Sequence, residues 1–305
     1  MIAAASRPPA VLIVNPYSGR LRAAEREHVV EALRARFRLE GFSTTARDAA
    51  IGIAKDAADN GAELVVAFGG DGHVNEVANG VAGTDSALAI VPGGTMNVFA
   101  RALGIPMDPF EAVERLHERI ATPARKIPLG KMDDRYFTFS AGCGFDAEAA
   151  ERVERDLPAK RRFGEFFFYW SAFRVLASTY RHRAASMTVH QGEASTPVAM
   201  AIACNSGPYA YLRGRSIHIA PRVNLDGDLD LFALKKMRIE ALPLYAWRVL
   251  SGDLIHHRDA FYRSGLTSFE ITADKAFHRH VDGEPLPPAT TARFSIERDV
   301  LLVKS

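Results

Sequence analysis

The sequence predicts two domains of different class, an α/β domain followed by a mostly antiparallel, β-rich one. Three observations carry this expectation. Short apolar runs alternate with helical patterns up to about residue 125. From about Lys126 the rhythm changes to strands of alternating or wholly apolar character. The chain of 305 residues is long enough for two ordinary domains, each burying its own core. The boundary is drawn as 1–127 for the α/β domain and 128–291 for the β-rich domain.

In the first domain, apolar residues 10–14 lead to a helical pattern over 23–40, 43–47 to 51–60, 64–68 to 74–82, and 87–91 to 97–103. This is the rhythm of βαβ units, whose ligands bind beyond the carboxyl ends of the strands. Three turns fall at such ends and are expected to converge on one crevice: Asn15-Pro16-Tyr17-Ser18-Gly19, Gly69-Gly70-Asp71-Gly72 and Pro92-Gly93-Gly94-Thr95. In the second domain, strands are expected at 136–141, 186–190, 198–204, 229–234 and 268–273, with helical insertions near 165–180 and 239–252.

Bulk properties exclude several classes. The net charge is +2, from 38 basic and 36 acidic residues, so no global field captures nucleic acid, and no nucleic-acid partner is expected. Cys143 and Cys204 are the only cysteines, too few for a disulfide framework or a cysteine zinc site. The segment MIAAASRPPA lacks an apolar stretch of signal-peptide length, and no window reaches the length of a membrane span. A soluble cytoplasmic chain is the expectation.

The segment LVVAFGGDGHVNEVANGV, residues 64–81, is the most informative. Adjacent glycines let a backbone approach a ligand more closely than a Cβ allows, and a following helix points free N–H groups at the turn. Such a turn holds phosphate. Asp71 would repel a bare phosphate, so its presence suggests a metal ion or a phosphate already carrying Mg²⁺. Thr95 and Asn97 are short polar residues at a helix start, suited to a ligand or to simple capping. Asp282 and Glu284 flank Gly283, which reads either as two carboxylates on one strand face or as an Asp-Gly hairpin turn. Asp226, Asp228 and Asp230 are oxygen donors of the kind a hard cation takes, or the acids of an Asp-Gly turn.

Taken in order, NPYSG, GGDGHVNEVANG, PGGTMNVFARALGIP, GCGFDAE at 142–148, LDGDLD at 225–230 and VDGEPL at 281–286 resemble the diacylglycerol kinase catalytic-domain family. That family includes bacterial lipid kinases and sphingosine kinases, and the resemblance covers nearly the whole chain. It implies an α/β nucleotide-binding domain joined to a β-sandwich-like domain, with ATP in the cleft between them and a final strand, about 292–305, returning to the first domain. It implies transfer of the γ-phosphoryl of ATP, with Mg²⁺, to the hydroxyl of a lipid alcohol such as diacylglycerol.

By the same resemblance, Asn15, Ser18 and Arg20 contact the nucleotide, together with Gly69, Gly70, Gly72, Thr95 and Asn97. Asp71 takes part in a metal and water network, Asp282 is the general base assisted by Glu284, and Asp226 with Asp228 holds a metal. Peripheral, transient contact with the inner membrane surface is implied, and a homodimer is carried as a further expectation. Two positions depart from the family pattern: His73 where a Thr is usual, and Pro128 where an aspartate is common, with Asp133, Asp134 or Asp146 as candidate replacements. These departures keep open a catalytically weak lipid-binding or regulatory relative, and the GGDG turn with a similar domain plan keeps open a NAD kinase-like enzyme. Lys160-Arg161-Arg162 before Phe166-Phe167-Phe168-Tyr169-Trp170 suits either an anionic membrane interface or a buried helix with a basic cap. His256, His257 and His278 are read as surface or strand histidines, and His280 as a residue that shares the face of Asp282.

Overall fold

The computed structural model describes residues 7–17, 21–144, 147, 186–212, 215–237 and 241–305. The chain forms two compact units, one of residues 1–128 with 298–305 and the other of residues 129–297. The first is an α/β unit, the second an antiparallel β-sandwich-like unit. Among the described residues no helix is long and apolar enough to cross a membrane.

The first unit alternates β1 (Pro9–Val14), α1 (Ala23–Arg36), β2 (Arg38–Ser43), α2 (Ala49–Asp59), β3 (Leu64–Gly69), α3 (Asp71–Val81), β4 (Ala87–Pro92), α4 (Val98–Ala102) and α5 (Pro109–Glu118). Its strands pair in parallel in the order β4-β3-β1-β2. The end of the chain supplies a fifth: in the last strand, Glu284–Lys304, residues Leu302, Val303 and Lys304 pair in parallel with Ala87, Leu88 and Ala89. β3 and β4 are buried at every position, as strands covered on both faces must be. Val29, Val30 and Leu33 of α1 and Val113 and Leu116 of α5 pack on one face with Leu12, Val66 and Phe68. Asp108 caps α5, its carboxylate accepting from the amides of Phe110 and Glu111, with Pro109 at the first helical position.

In the first unit, two adjacent elements depart furthest from the sequence expectation. The first helix stops at Arg36, and the second strand is Arg38–Ser43 rather than 43–47. β2 is a sheet edge held only by β1, and of its six residues all but Leu39 are exposed. Edge position removes the apolar alternation by which strands are recognised.

The second unit contains β5 (Arg125–Met132, which enters it at Leu129), β6 (Arg135–Phe137), β7 (Ser140–Gly144), β8 (Met187–Gln191), β9 (Ala194–Val198), β10 (Met200–Cys204), β11 (Ala210–Leu212), β12 (Arg215–Ile217), β13 (Leu229–Leu234), α6 (Leu242–Ser251), β14 (Ala260–Leu266), β15 (Ser268–Val281) and the first part of β16 (Glu284–Lys304). Strands follow the order β14-β13-β10-β7-β15-β16, with the β8–β9 hairpin also on β15. These pairings are antiparallel. Period-two alternation sorts β10 onto two cores. Ala201 and Ala203 face Phe137, Phe269 and Phe294, while Met200, Ile202 and Cys204 face Phe232, Tyr245 and Leu254. The helical insertion expected at 239–252 is α6. The one expected at 165–180, with Lys160-Arg161-Arg162 and the aromatic run, lies outside the described residues.

Candidate active site

In the first unit the ends of β1, β3 and β4 lie side by side, with Val14 opposite Phe68, and Phe68 and Gly69 opposite Val91 and Pro92. The loops that follow are tied together by backbone bonds. Asn15 N donates to Phe68 O at 3.0 Å, and Gly93 N to Gly69 O at 2.8 Å. The Asn15 carboxamide accepts from Tyr17 N at 2.9 Å, which folds the start of the first loop into an Asx turn. Ser18 and Arg20 lie outside the described residues.

The second and third loops press backbone against backbone. A Cβ on Gly94 would stand 2.6 Å from the Gly70 Cα. α3 begins directly at Asp71 with Gly70 as its cap residue and no side-chain cap, so its first amides are turned to the loop mouth without an intrahelical partner. This is the chemistry of a phosphate cradle. Asp71 is half-buried at the same helix start and accepts from Phe99 N at 3.4 Å. Thr95 is exposed. Asn97 is buried and left-handed at φ 47°; its Oδ1 accepts from Gly94 N at 3.0 Å and its Nδ2 donates to Gly94 O at 2.9 Å. Asn97 therefore shapes the glycine loop with both ends of its amide.

His73 packs against Gly69 and turns its ring toward β1. The ring is 5 % exposed and its Nε2–H donates to Ile13 O of β1 at 2.9 Å. A Cβ on Gly69 would meet that ring at 2.6 Å, so glycine at 69 and histidine at 73 fit as a pair. Burial pulls the imidazole pKa below its ordinary value, against the bond to Ile13, which raises it. Glu76 belongs to none of the site residues the sequence singles out. It is buried on α3, and its two oxygens accept from Asp48 N at 3.0 Å and Ala50 N at 3.1 Å, capping α2 from the neighbouring helix. A charged residue within the run of buried positions 73–78 was the available signal.

In the second unit, Asp282 and Gly283 are the two central residues of the β15–β16 hairpin, with φ 48° and 81° and Val281 paired to Glu284. The Asp-Gly turn and the buried carboxylate coexist. Asp282 is 6 % exposed and its carboxylate accepts four hydrogen bonds: at Oδ2 from Thr138 N and Thr138 Oγ1, both 2.7 Å, and at Oδ1 from Phe139 N and Ser140 N, both 3.0 Å. Its own amide donates to Ser140 O at 2.7 Å. His280 is 2 % exposed, and its Nδ1 accepts from Gly283 N at 3.2 Å. Glu284 Oε2 lies 3.9 Å from Arg135 Nη2. Thr138 is the partner no motif announced.

The Asp226–Asp228 turn is organised by Asn224, whose Oδ1 accepts from Asp226 N at 3.1 Å and whose O accepts from Gly227 N at 3.1 Å. Asp226 is exposed and Asp228 half-buried. Among the described residues, neither belongs to a cluster of three His, Cys, Asp or Glu ligand atoms, so a cation there would draw the rest of its shell from carbonyls and water. Asp230 points elsewhere: it accepts from Tyr262 Oη and from Gly265 N at 3.3 Å, and burial raises its pKa despite those bonds. Asp133 closes the β5–β6 turn, pairing with Arg279 and accepting from Arg293 N at 2.9 Å. Asp134 is exposed, and Asp146 lies outside the described residues. His256 is exposed, but His257 is buried against Tyr245, which corrects its reading as a surface or strand residue.

Two family models match the chain in succession. Residues 9–139 match the diacylglycerol kinase catalytic domain, and residues 140–303 match the YegS C-terminal NAD kinase beta sandwich-like domain. The chain is 30 % identical over 287 residues to a diacylglycerol kinase of Bacillus subtilis, covering 90 % of this chain and 88 % of that protein. The chain belongs to the diacylglycerol kinase family of lipid kinases. A second member, the diacylglycerol kinase of Staphylococcus haemolyticus, is 26 % identical over 291 residues, covering 91 % of this chain and 82 % of its own. The fold is that of family structures as well: a diacylglycerol kinase from Bacillus anthracis superposes with a TM-score of 0.73 at 24 % identity, covering 97 % of this chain and 96 % of that one. As a family member the chain is a kinase.

Proposed function

We propose that this kinase transfers the γ-phosphoryl of ATP to the hydroxyl of a lipid alcohol such as diacylglycerol, at the inner membrane surface. The observation that carries the reading is the pair of glycine loops after β3 and β4, pressed together at Gly70 and Gly94 beneath the uncapped start of α3. Phosphoryl transfer asks for positioning and charge neutralisation more than for covalent chemistry, and backbone amides supply both without a side chain that must reorganise.

Asn15, Gly69, Gly70, Gly72 and Thr95 bind the phosphates, joined by Ser18 and Arg20 of the first loop. Asn97 holds the Gly94 peptide in place for them. Asp71 in the first unit, and separately Asp226 with Asp228 in the second, are oxygen donors of the kind that would hold Mg²⁺. An ion held by Asp71 would neutralise phosphate charge.

Asp282 is the proposed proton acceptor for the lipid hydroxyl, with Glu284 assisting. Four donors occupy the lone-pair directions of its carboxylate, so accepting a proton requires one bond to open. The Thr138 hydroxyl is the partner that can turn away, because it is a rotor and the three amides are fixed in the backbone.

The test is purified protein incubated with labelled ATP and Mg²⁺ alongside mixed micelles of diacylglycerol, sphingosine-like bases or other lipid alcohols, with NAD in parallel. Label in a lipid acceptor is expected. Label in NAD alone overturns the proposal in favour of the NAD kinase-like reading, and no transfer with lipid still bound favours a weak catalyst.

A further inference from the structure

The β13–β14 side of the second unit carries a cavity of about 780 Å³ that none of the residues above explains. Arg222, Lys235 and Arg263 line it together with Phe261, Tyr262 and Ser264. All three cationic side chains belong to exposed residues. Among the described residues none of the three forms a salt bridge, whereas nearby Arg248, His256 and Arg258 each have an aspartate within 4.0 Å. Asp230 is engaged by Tyr262 Oη and Gly265 N; burial raises its pKa, and the charge of Arg222, which it also feels, lowers it. Three like charges at one cavity repel, so an anion bound among them is favoured.

The frame around these charges is fixed. Lys235 follows β13 directly and is held by its amide to Asp259 O at 2.8 Å. Arg263 lies on β14 opposite Leu231 of β13. The Phe261 ring carries two of the charges, with the Arg263 guanidinium 4.6 Å and the Lys235 ammonium 6.0 Å from its centroid. Arg222 is anchored through its amide, which donates to Tyr262 Oη at 3.2 Å, while that hydroxyl donates to Asp230. Two guanidinium forks and an ammonium that line one cavity, two of them at an aromatic ring, suit a phosphate group esterified to an apolar or polyol body.

We infer that this cavity is a binding site for a phosphate-bearing anion, held by Arg222, Lys235 and Arg263 with Phe261 against the ester side. The shared chemistry is a phosphate mono- or diester. Its source is a free phosphate ester in solution or the headgroup of an anionic phospholipid. The inference stands apart from the proposed reaction, since none of the residues placed in that reaction lines the cavity.

The test compares the full chain with the double variant Lys235→Gln, Arg263→Gln. Thermal unfolding first establishes that the variant folds, as substitutions at two exposed positions should allow. Calorimetric titration with glycerol phosphate and with inorganic phosphate, in the presence of saturating ATP analogue to fill the glycine loops, reads the soluble arm. Sedimentation with phosphatidylcholine vesicles with and without phosphatidylglycerol reads the lipid arm. Binding in one arm that falls at least about tenfold in the variant, the equivalent of one charge-assisted hydrogen bond, supports the site and identifies its source. Equal binding by both proteins in both arms overturns it, and so does absence of binding in both. Kinase turnover on dispersed substrate is expected to be unchanged in the variant, so failure of this site and failure of the proposed reaction are read separately.

Discussion

Thr138 meets the carboxylate of Asp282 twice, through its amide and through its hydroxyl, each at 2.7 Å and both at Oδ2. The two residues are 144 positions apart, and Asp282 sits in a left-handed turn that presents its side chain to the start of β7. The carboxylate therefore fixes the Thr138–Ser140 backbone whatever else it does. An anchor and a base lose different things on substitution, and this separates the roles.

Asp282→Asn is expected to lower stability as well as turnover. An amide can accept at only one of the two former oxygens; with its NH₂ turned to Thr138, the hydroxyl rotates to accept but the Thr138 amide is left unsatisfied, and the other two amides lose their ionised acceptor. The expected loss is roughly 3 to 5 kcal/mol, from about 1–3 kcal/mol for the unpaired amide and about 1 kcal/mol for each of the two weakened bonds. Thr138→Val removes one bond and keeps the amide, so it should cost less, about 1.5–3 kcal/mol. Urea unfolding of the two variants checks the order. A fully stable Asp282→Asn protein would remove the anchoring role.

Stability should fall on acidification because of His73. Its folded pKa lies below the unfolded value, chiefly through burial, so the unfolded chain binds the proton first. The contribution is complete above about pH 6.5, the ordinary histidine value, and is lost as pH falls from there toward the folded pKa. His73→Gln should flatten this part of the profile, because glutamine does not titrate. Chemical denaturation at a series of pH values reads the difference between the two proteins.

Gly94→Ala tests the contact of the two glycine loops. The new Cβ would lie 2.6 Å from the Gly70 Cα and 2.8 Å from the Asn97 Oδ1, and the first of these is backbone that cannot rotate away. The loops must separate, at about 1–3 kcal/mol, the usual cost of overpacking. ATP affinity should fall more than stability does, since the amides move from their set positions. Calorimetric titration with ATP, beside a thermal melt, distinguishes the two effects.

The glycine loops were legible because their position follows from local pattern alone: an apolar strand, a glycine pair and a helix start. β2 was not, because an exposed edge strand carries no apolar alternation. Asn97 and His73 were visible as polar residues near phosphate-type loops, yet their partners decide their roles. Asn97 bonds Gly94 three residues away, and His73 bonds Ile13 sixty positions earlier. Thr138 left no mark at all. A threonine between two phenylalanine-containing stretches becomes informative only when the sheet brings Asp282 to it.

Glu76 offers a final measurement, because a buried acid beside a glycine loop invites a catalytic reading while its two backbone partners invite a structural one. Both oxygens accept from the backbone at the start of α2, at Asp48 and Ala50. Asp48, the cap residue of that helix, makes no side-chain cap of its own. Glu76→Gln leaves one good acceptor and turns an NH₂ toward the other amide, which should cost about 1–3 kcal/mol. If Glu76 acts only as a cap, turnover per folded molecule stays near that of the parent while the melting temperature drops. A collapse of turnover in a protein of undiminished stability would move Glu76 from the scaffold to the reaction.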